Sequence, residues 1–412
     1  MTSQDPIVIA GGGVGGLSAA LALAKTGRAS LVIERAPAFR EVGAGLQLAP
    51  NASRILRDWG ALELLSDSAV APDMIRIRRG ADGTDLAKIA LTDAEQRWGA
   101  PYLVVHRADL LAALLEKARQ NSLIEIRSAS TLTGFIEDEI GVAVTYRQDG
   151  DYRRASGGAL IGADGLRSLV RTRLFGEAES KPAYTGHTAW RTLIPASELP
   201  EPMRRRSSNL WLGERAHLVH YPLRGGSVVN VVALVEDNWR GDSDDQDVTF
   251  WDNEGDRKFL LNRFKNWSRE VVDLIAAGST WLRWPLFDRP PIPSWSRGRA
   301  ALLGDAAHPL LPYLAQGAAQ AIEDARALGA AFAAHSSDDA YASGVADSSN
   351  IALALADYSS ARMARASLIQ QASRNQGEIY HMSGFKAFAR DLVLRASGSS
   401  RLLARQDWIY SV

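Results

Sequence analysis

The stretch from Ile7 to Gly16 constrains this chain more than any other. Ile7-Val8-Ile9-Ala10 is a short apolar run, suited to a strand buried on both faces. It leads directly into Gly11-Gly12-Gly13-Val14-Gly15-Gly16, and an Ala/Leu-rich helix is expected from Leu17 to Thr26. The glycines at Gly11, Gly13 and Gly16 fit G-x-G-x-x-G. In such a turn the chain leaves a strand tightly, lets a pyrophosphate approach bare backbone and packs helix on strand. The helix N-terminus adds free N–H groups and the positive end of its dipole. Gly27 ends the helix as a glycine C-cap, and Leu31 to Ile33 reads as the next strand. Glu34 closes it, 21 residues beyond Gly13, where a carboxylate accepts both hydroxyls of a ribose. An acidic residue there disfavours a 2′-phosphate, so the expected nucleotide is FAD or NAD rather than NADP.

The same stretch is uncharged from Ile7 to Ala24, yet it does not read as a membrane or export segment. Five glycines crowd its start, and Met1 to Pro6 carries only Asp5 where a signal peptide needs basic residues. The reading is a chain without a membrane span. Its 47 Lys+Arg balance 47 Asp+Glu, so nothing points to nucleic acid. The absence of cysteine removes disulfides, thiolate nucleophiles, Cys-ligated zinc and iron–sulfur clusters, and fits the cytoplasm.

Further along, Asp109 to Arg119 reads as an amphipathic helix, Val142 to Arg147 as a strand and Ala159 to Ile161 as a buried strand. The texture then changes. Candidate strands at Thr188–Pro195, Leu210–Leu212, His217–Leu223 and Val228–Val235, with a hairpin signal at Arg224-Gly225-Gly226-Ser227, predict an inserted antiparallel sheet. Ala300 to Leu303 returns to buried-strand character and a long helix is expected from Gly317. Ser336 to Asn350 reads as a surface loop and the tail beyond Ile351 as helical. The expected layout is α/β. A nucleotide-binding domain spans 1–182, with an excursion toward the substrate side near 70–100. The sheet domain spans 183–280, the first domain resumes over 281–340, and a helical segment spans 341–412.

Two more motifs follow buried strands. They are Gly162-Ala163-Asp164-Gly165-Leu166-Arg167-Ser168 and Gly304-Asp305-Ala306-Ala307-His308-Pro309. Each sets an aspartate at the carboxyl end of a strand, where open α/β sheets bind ligands.

Together the three motifs resemble the flavoprotein monooxygenases, the group A aromatic hydroxylases that carry one FAD. Three segments narrow the resemblance: Glu41-Val42-Gly43-Ala44-Gly45-Leu46-Gln47-Leu48-Ala49-Pro50-Asn51, His217-Leu218-Val219-His220-Tyr221-Pro222 and Tyr313-Leu314-Ala315-Gln316-Gly317. They look like the branch holding 3-hydroxybenzoate 6-hydroxylase, 6-hydroxynicotinate 3-monooxygenase and salicylate 1-hydroxylase. The resemblance implies a Rossmann-like, glutathione-reductase-like FAD domain and non-covalent FAD. Gly11, Gly13 and Gly16 would cradle the pyrophosphate, with Glu34, and Arg35 beside it, at the adenosine end. Arg107 would reach the phosphate and ribityl region, Asp305 the ribityl chain, and Asp164 both FAD and the nicotinamide donor. Gln316, Gly317 and Ala318 would lie beside the flavin ring, Gln316 also reaching the substrate as a catalytic residue, and Gln47 and Tyr313 would lie in the substrate pocket. At those two places the pyridine-hydroxylating relatives carry other polar residues, which argues against a pyridine substrate.

Strand alternation sorts the histidines. On one strand, His217 and Tyr221 point one way and His220 the other. The resemblance maps the pocket histidine and tyrosine onto His217 and Tyr221, with His217 as the base for a phenolic proton. The rival reading gives His217 only a hydrogen bond within the sheet. His220 is expected to be structural and His308 a local contact. No metal is expected, because His217 and His220 diverge and lack a third ligand.

The implied activity takes hydride from NADH or NADPH, bound transiently because no second dinucleotide turn exists. Using O2, it hydroxylates a small hydroxylated aromatic acid, ortho or para to the existing hydroxyl. Rival readings are a monooxygenase of a larger polycyclic or quinolone-like substrate and an FAD-dependent reductase or dehydrogenase. The oligomeric state stays open, a dimer included.

Overall fold

The computed structural model describes residues 5–39, 45–138, 140–239, 254–335 and 348–411. Glu41 to Ala44 of the quoted motif and positions 336–347 of the expected loop lie outside them. Ser348 to Asn350, expected in that loop, already begin the helix Ser348–Tyr380.

The apolar runs assemble as their composition demands. Ile7–Ala10 forms the centre of a sheet, parallel to Ser30–Ile33 on one side and Ala159–Gly162 on the other. Ala300–Leu302 and Ile124–Arg127 extend it in parallel on either side, and Ser296–Arg297 adds a short antiparallel edge. Every residue of Ile7–Ala10, Ser30–Ile33 and Ala159–Gly162 is buried. Helices cover the sheet. Val14–Lys25 packs so closely on Gly317–Ala334 that a methyl on Gly329 would lie 3.0 Å from the carbonyl oxygen of Ala22.

The second sheet has seven strands in the order Leu282–Asp288, Ala183–Pro195, Val228–Glu236, Ala216–Leu223, Ser207–Gly213, Met74–Arg79 and Asp85–Ala90. Two features depart from the expected layout. Ser207–Gly213 and Met74–Arg79 run parallel, since the latter strand is donated by the first domain rather than reached by a hairpin. Leu282–Asp288 lies beyond position 280 yet closes this sheet, because the long strand Ala183–Pro195 offers it an antiparallel edge.

Alternation gives this sheet two separate faces. Trp190, Trp211, Leu218, Val231 and Ala233 turn away from the first domain onto Phe264, Leu274 and Trp281, in and around the helices Arg257–Arg263 and Arg269–Ala277. The opposite face meets the first domain. There Tyr221 packs with Ala49, Tyr102 and Leu314, and Leu234 with Leu311 and Tyr313.

Candidate functional site

The phosphate turn is built by close approach. Gly11 has φ +100°, and a Cβ on it would lie 2.5 Å from the Ala163 carbonyl oxygen. A Cβ on Gly16 would lie 1.9 Å from the Gly11 carbonyl oxygen. A Cβ on Gly13, by contrast, would meet nothing within 4 Å. The turn therefore closes on itself through Gly11 and Gly16 and leaves open space at Gly13, where a pyrophosphate needs it. Glu34 is held in place: its Oε2 accepts from Gly12 N–H at 2.6 Å and its Oε1 from Ala36 N–H at 2.8 Å. Each oxygen keeps a lone pair for a ribose hydroxyl. Arg35 beside it is exposed.

The two aspartate motifs sit on neighbouring strands of the same sheet. Asp164 Oδ2 accepts from Val170 N–H at 3.1 Å, while its Oδ1 is buried without a partner. Burial pushes the Asp164 carboxyl up. Asp305 keeps exposed surface. Desolvation by the surrounding protein pushes its pKa up, against the pull of Arg107, His308 and Arg289. Arg107 opens the helix Arg107–Arg119. His308 is buried with Nε2 2.5 Å from Asp324 Oδ2, a local contact. Arg289 was not singled out by sequence. Its guanidinium is buried, with Nε and Nη1 unpartnered, and burial next to Arg171 brings its pKa down to about 10. These residues fit FAD: an open phosphate turn, a carboxylate suited to a ribose and unpaired polar atoms gather at the carboxyl ends of the sheet's inner strands.

Gly317 and Ala318 begin the 18-residue helix Gly317–Ala334, so their end carries free N–H groups and positive potential. Gln316 stands just before it. Its Oε1 accepts from Asn51 Nδ2 at 3.0 Å and from Gln320 Nε2 at 3.2 Å, while its Nε2 is buried with no partner. Arg362 and Arg365, from the helix Ser348–Tyr380, brace this helix by ion pairs of 2.7 Å to Glu323, and Arg362 also pairs with Asp324 at 2.7 Å.

Across the cleft stands the inner face of the second sheet. His217 and Tyr221 point into this side, both buried, and His220 points away. Trp211 donates its Nε1–H to His220 Nδ1 at 3.1 Å. Burial brings His220 down to about 3, with Arg78 adding to the effect. His217 Nδ1 lies 2.8 Å from Nε2 of His381. Burial, with His381 and His187 beside it, holds His217 well below its ordinary value. Tyr313 meets His217 at 5.6 Å between ring centroids. Gln47, on the strand Gly45–Leu48, accepts from the Tyr102 hydroxyl through its Oε1. A Cβ on Gly45 would lie 2.8 Å from the Tyr221 ring, so glycine is needed where this strand passes the sheet.

On this face, as Arg289 on the nucleotide side, Arg191 and His381 are members that sequence reasoning missed. Arg191 shares the inner face two strands from His217 and Tyr221, pairing through Val232 to Val219. Its guanidinium lies 3.8 Å over the Trp284 ring and its Nε is buried without a partner. Burial brings it down to about 9, Arg107 adding and Tyr221 opposing. Its inward phase on a strand was the available signal. His381 had none, since it follows a helix 164 residues beyond His217.

Among the described residues no helix is long and apolar enough to cross a membrane, and no cluster of metal-ligating side chains occurs.

Residues 4–366 match the model of a family described as FAD binding domain. The chain is 37% identical over 411 residues to 3-hydroxybenzoate 6-hydroxylase 1 of Aquipseudomonas alcaligenes, covering 99% of this chain and 98% of that one. It is 36% identical over 406 residues to 3-hydroxybenzoate 6-hydroxylase of Polaromonas naphthalenivorans, covering 98% and 95%. Among solved structures, Klebsiella pneumoniae R204Q HpxO complexed with FAD superposes with a TM-score of 0.82 at 27% identity, covering 99% of both chains. The open turn at Gly13, the anchored Glu34 and these likenesses along nearly the whole length agree: the chain belongs to the FAD-binding-domain family, and its resemblance to the FAD-dependent aromatic hydroxylases holds.

Proposed function

We propose that this protein is a single-component monooxygenase that hydroxylates a small hydroxylated aromatic acid, using NADH or NADPH and O2. The observation that carries the substrate class is the inner sheet face. It sets a buried imidazole, His217, and a tyrosine, Tyr221, two strands or about 10 Å from Arg191, a half-buried residue whose guanidinium Nε is shielded from solvent. A hydroxybenzoate is about that long, with a hydroxyl for His217 and a carboxylate for Arg191. The apolar side chains between them, Val219, Val232 and Leu234, accept its ring.

Bound FAD supplies the redox and oxygen chemistry. The chain's own residues do the rest. Gly11, Gly13, Gly16 and Glu34 would hold the nucleotide, and Asp305 and Arg107 the ribityl and phosphate region. The helix beginning at Gly317 favours negative charge at the ring end. Gln316 Nε2 donates toward the ring or the substrate. His217 Nε2 takes the phenolic proton, which loads charge onto the positions ortho and para to the oxygen. Tyr221 orients the ring, and Gln47 and Tyr313 limit its size. The use of a nicotinamide donor, together with the cysteine-free chain, supports a cytoplasmic location.

The test is a screen of hydroxybenzoates, salicylates and hydroxypyridines for stimulated NADH oxidation, with the product identified. Hydroxylated product from a carboxylated phenol is expected. Donor oxidation that yields only peroxide with every compound would overturn the reading in favour of a reductase.

A further inference from the structure

The inner face holds a second and a third imidazole that the proposed reaction has not used. His381 follows the helix Ser348–Tyr380, and His187 lies on the strand Ala183–Pro195. Both ring centroids are near that of His381: His217 at 5.1 Å and His187 at 5.1 Å. His217 is 2% exposed, whereas His381 and His187 are half-buried. The three rings thus run from a sealed position to the protein surface.

We propose that His381 is the acceptor to which His217 passes the substrate's phenolic proton, so that the pair forms an exit relay from the closed pocket. This rests on the hydroxylated aromatic substrate argued above. His217 Nδ1 and His381 Nε2 are 2.8 Å apart, a hydrogen bond in which one nitrogen donates and the other accepts. With Nδ1 so engaged, Nε2 is the nitrogen of His217 left for a ligand. The substrate O–H bond breaks as a proton reaches His217 Nε2. The N–H bond at Nδ1 breaks as its proton reaches His381 Nε2. One proton moves outward, the phenolate keeps the electron pair, and nothing is oxidised.

The surroundings make onward transfer necessary. Burial and two neighbouring imidazoles disfavour the His217 cation, so His217 is a poor place for the proton to stay. His381 is brought down to about 4 by burial, with His187, Arg263 and Arg390 adding and Glu236 opposing. It too passes the proton on. Its neighbours are His187, whose Nδ1–H donates to the Thr185 carbonyl at 3.1 Å, and the carboxylate of Glu236. That bond leaves His187 Nε2 as an acceptor. Tyr313 and Tyr380 close the ring of side chains around the pair.

The experiment uses the FAD-loaded enzyme mixed with 3-hydroxybenzoate in weak buffer with a pH-indicator dye, following proton release in a stopped-flow instrument. His381→Ala should bind FAD and be reduced by NADH as the parent does, yet release the proton at least tenfold more slowly. Added imidazole should restore the rate. His381→Gln keeps a hydrogen-bonding group beside His217 but passes no proton, so it should be as slow, and imidazole should not help it. Release at the parent rate in both variants would overturn the relay alone. A parent enzyme that neither releases a proton nor oxidises NADH faster with any hydroxybenzoate would overturn the substrate reading, and the relay with it.

Discussion

A methyl group on Gly16 would lie 1.9 Å from the carbonyl oxygen of Gly11, inside any real contact distance. The turn is therefore locked by its own backbone, and its two remaining fingerprint positions divide into a structural and a ligand-facing role.

Gly13→Val should fold, because a Cβ there meets nothing within 4 Å and the backbone is ordinary extended chain. It should be colourless as purified, since the side chain occupies the phosphate space. Gly16→Val should fail to fold. Absorbance of bound flavin and thermal melting of the apoprotein separate the two. A fully yellow Gly13→Val protein would show that the phosphate lies elsewhere.

His217→Ala should retain FAD and its reduction by the nicotinamide donor but divert oxygen to peroxide, with product per donor falling roughly 10²-fold or more. Tyr221→Phe should do so more mildly. His220→Ala should leave that ratio alone and instead lose about 1–3 kcal/mol of stability, because Trp211 Nε1 becomes a buried donor without a partner. Product, donor and peroxide measured together decide it. Unchanged coupling in His217→Ala would remove the base assignment.

Arg191→Gln should raise the KM for a carboxylated phenol by about tenfold to a hundredfold, the worth of a charge-assisted hydrogen bond of roughly 1.5–3 kcal/mol. It should change little for the same phenol without its carboxylate. Steady-state kinetics with the matched pair is the check, and equal losses for both would assign Arg191 to packing on Trp284.

Burial alone would raise the Asp324 carboxyl, but His308 and Arg362 outweigh it and bring it to about 2. A folded value below the ordinary carboxyl value stabilises the fold above about pH 4, and that share is lost as pH falls toward 2. The contribution is on the order of 2 kcal/mol. Asp324→Asn should flatten the acid limb of stability and cost about 3–5 kcal/mol at neutral pH, since Arg362 loses a buried partner. Urea unfolding at a series of pH values measures both.

What the sequence revealed follows from how local each signal is. Gly11 to Gly16, Glu34, Asp164 and Asp305 each sit at the junction of a strand and its turn, so residue type and spacing carry their placement. The opposite directions of His217 and His220 follow from a period of two. Met74–Arg79, Met-Ile-Arg-Ile-Arg-Arg, escaped assignment because its arginines pair with Asp85 and Glu270 across a sheet assembled from two distant parts of the chain. Arg191 looked like any polar strand residue until register placed it on Tyr221's face of the sheet, two strands away. His381 meets His217 only through tertiary packing, which no local pattern encodes.

The two-faced sheet has a consequence for laboratory evolution. Alternate residues of one strand belong to different selection regimes. Trp190 and Thr192 stand among or beside the tightly packed aromatic layer, while Ala189, Arg191 and Leu193 turn toward the first domain, Ala189 fully buried against it and the other two partly exposed. A mutagenesis library restricted to the partly exposed inner-face positions 191, 193, 219 and 232 would sample new acceptable ring shapes while drawing less on the protein's tolerance for destabilising change. A library that randomised the same strand without regard to phase would spend half its diversity on variants that never accumulate in the cell.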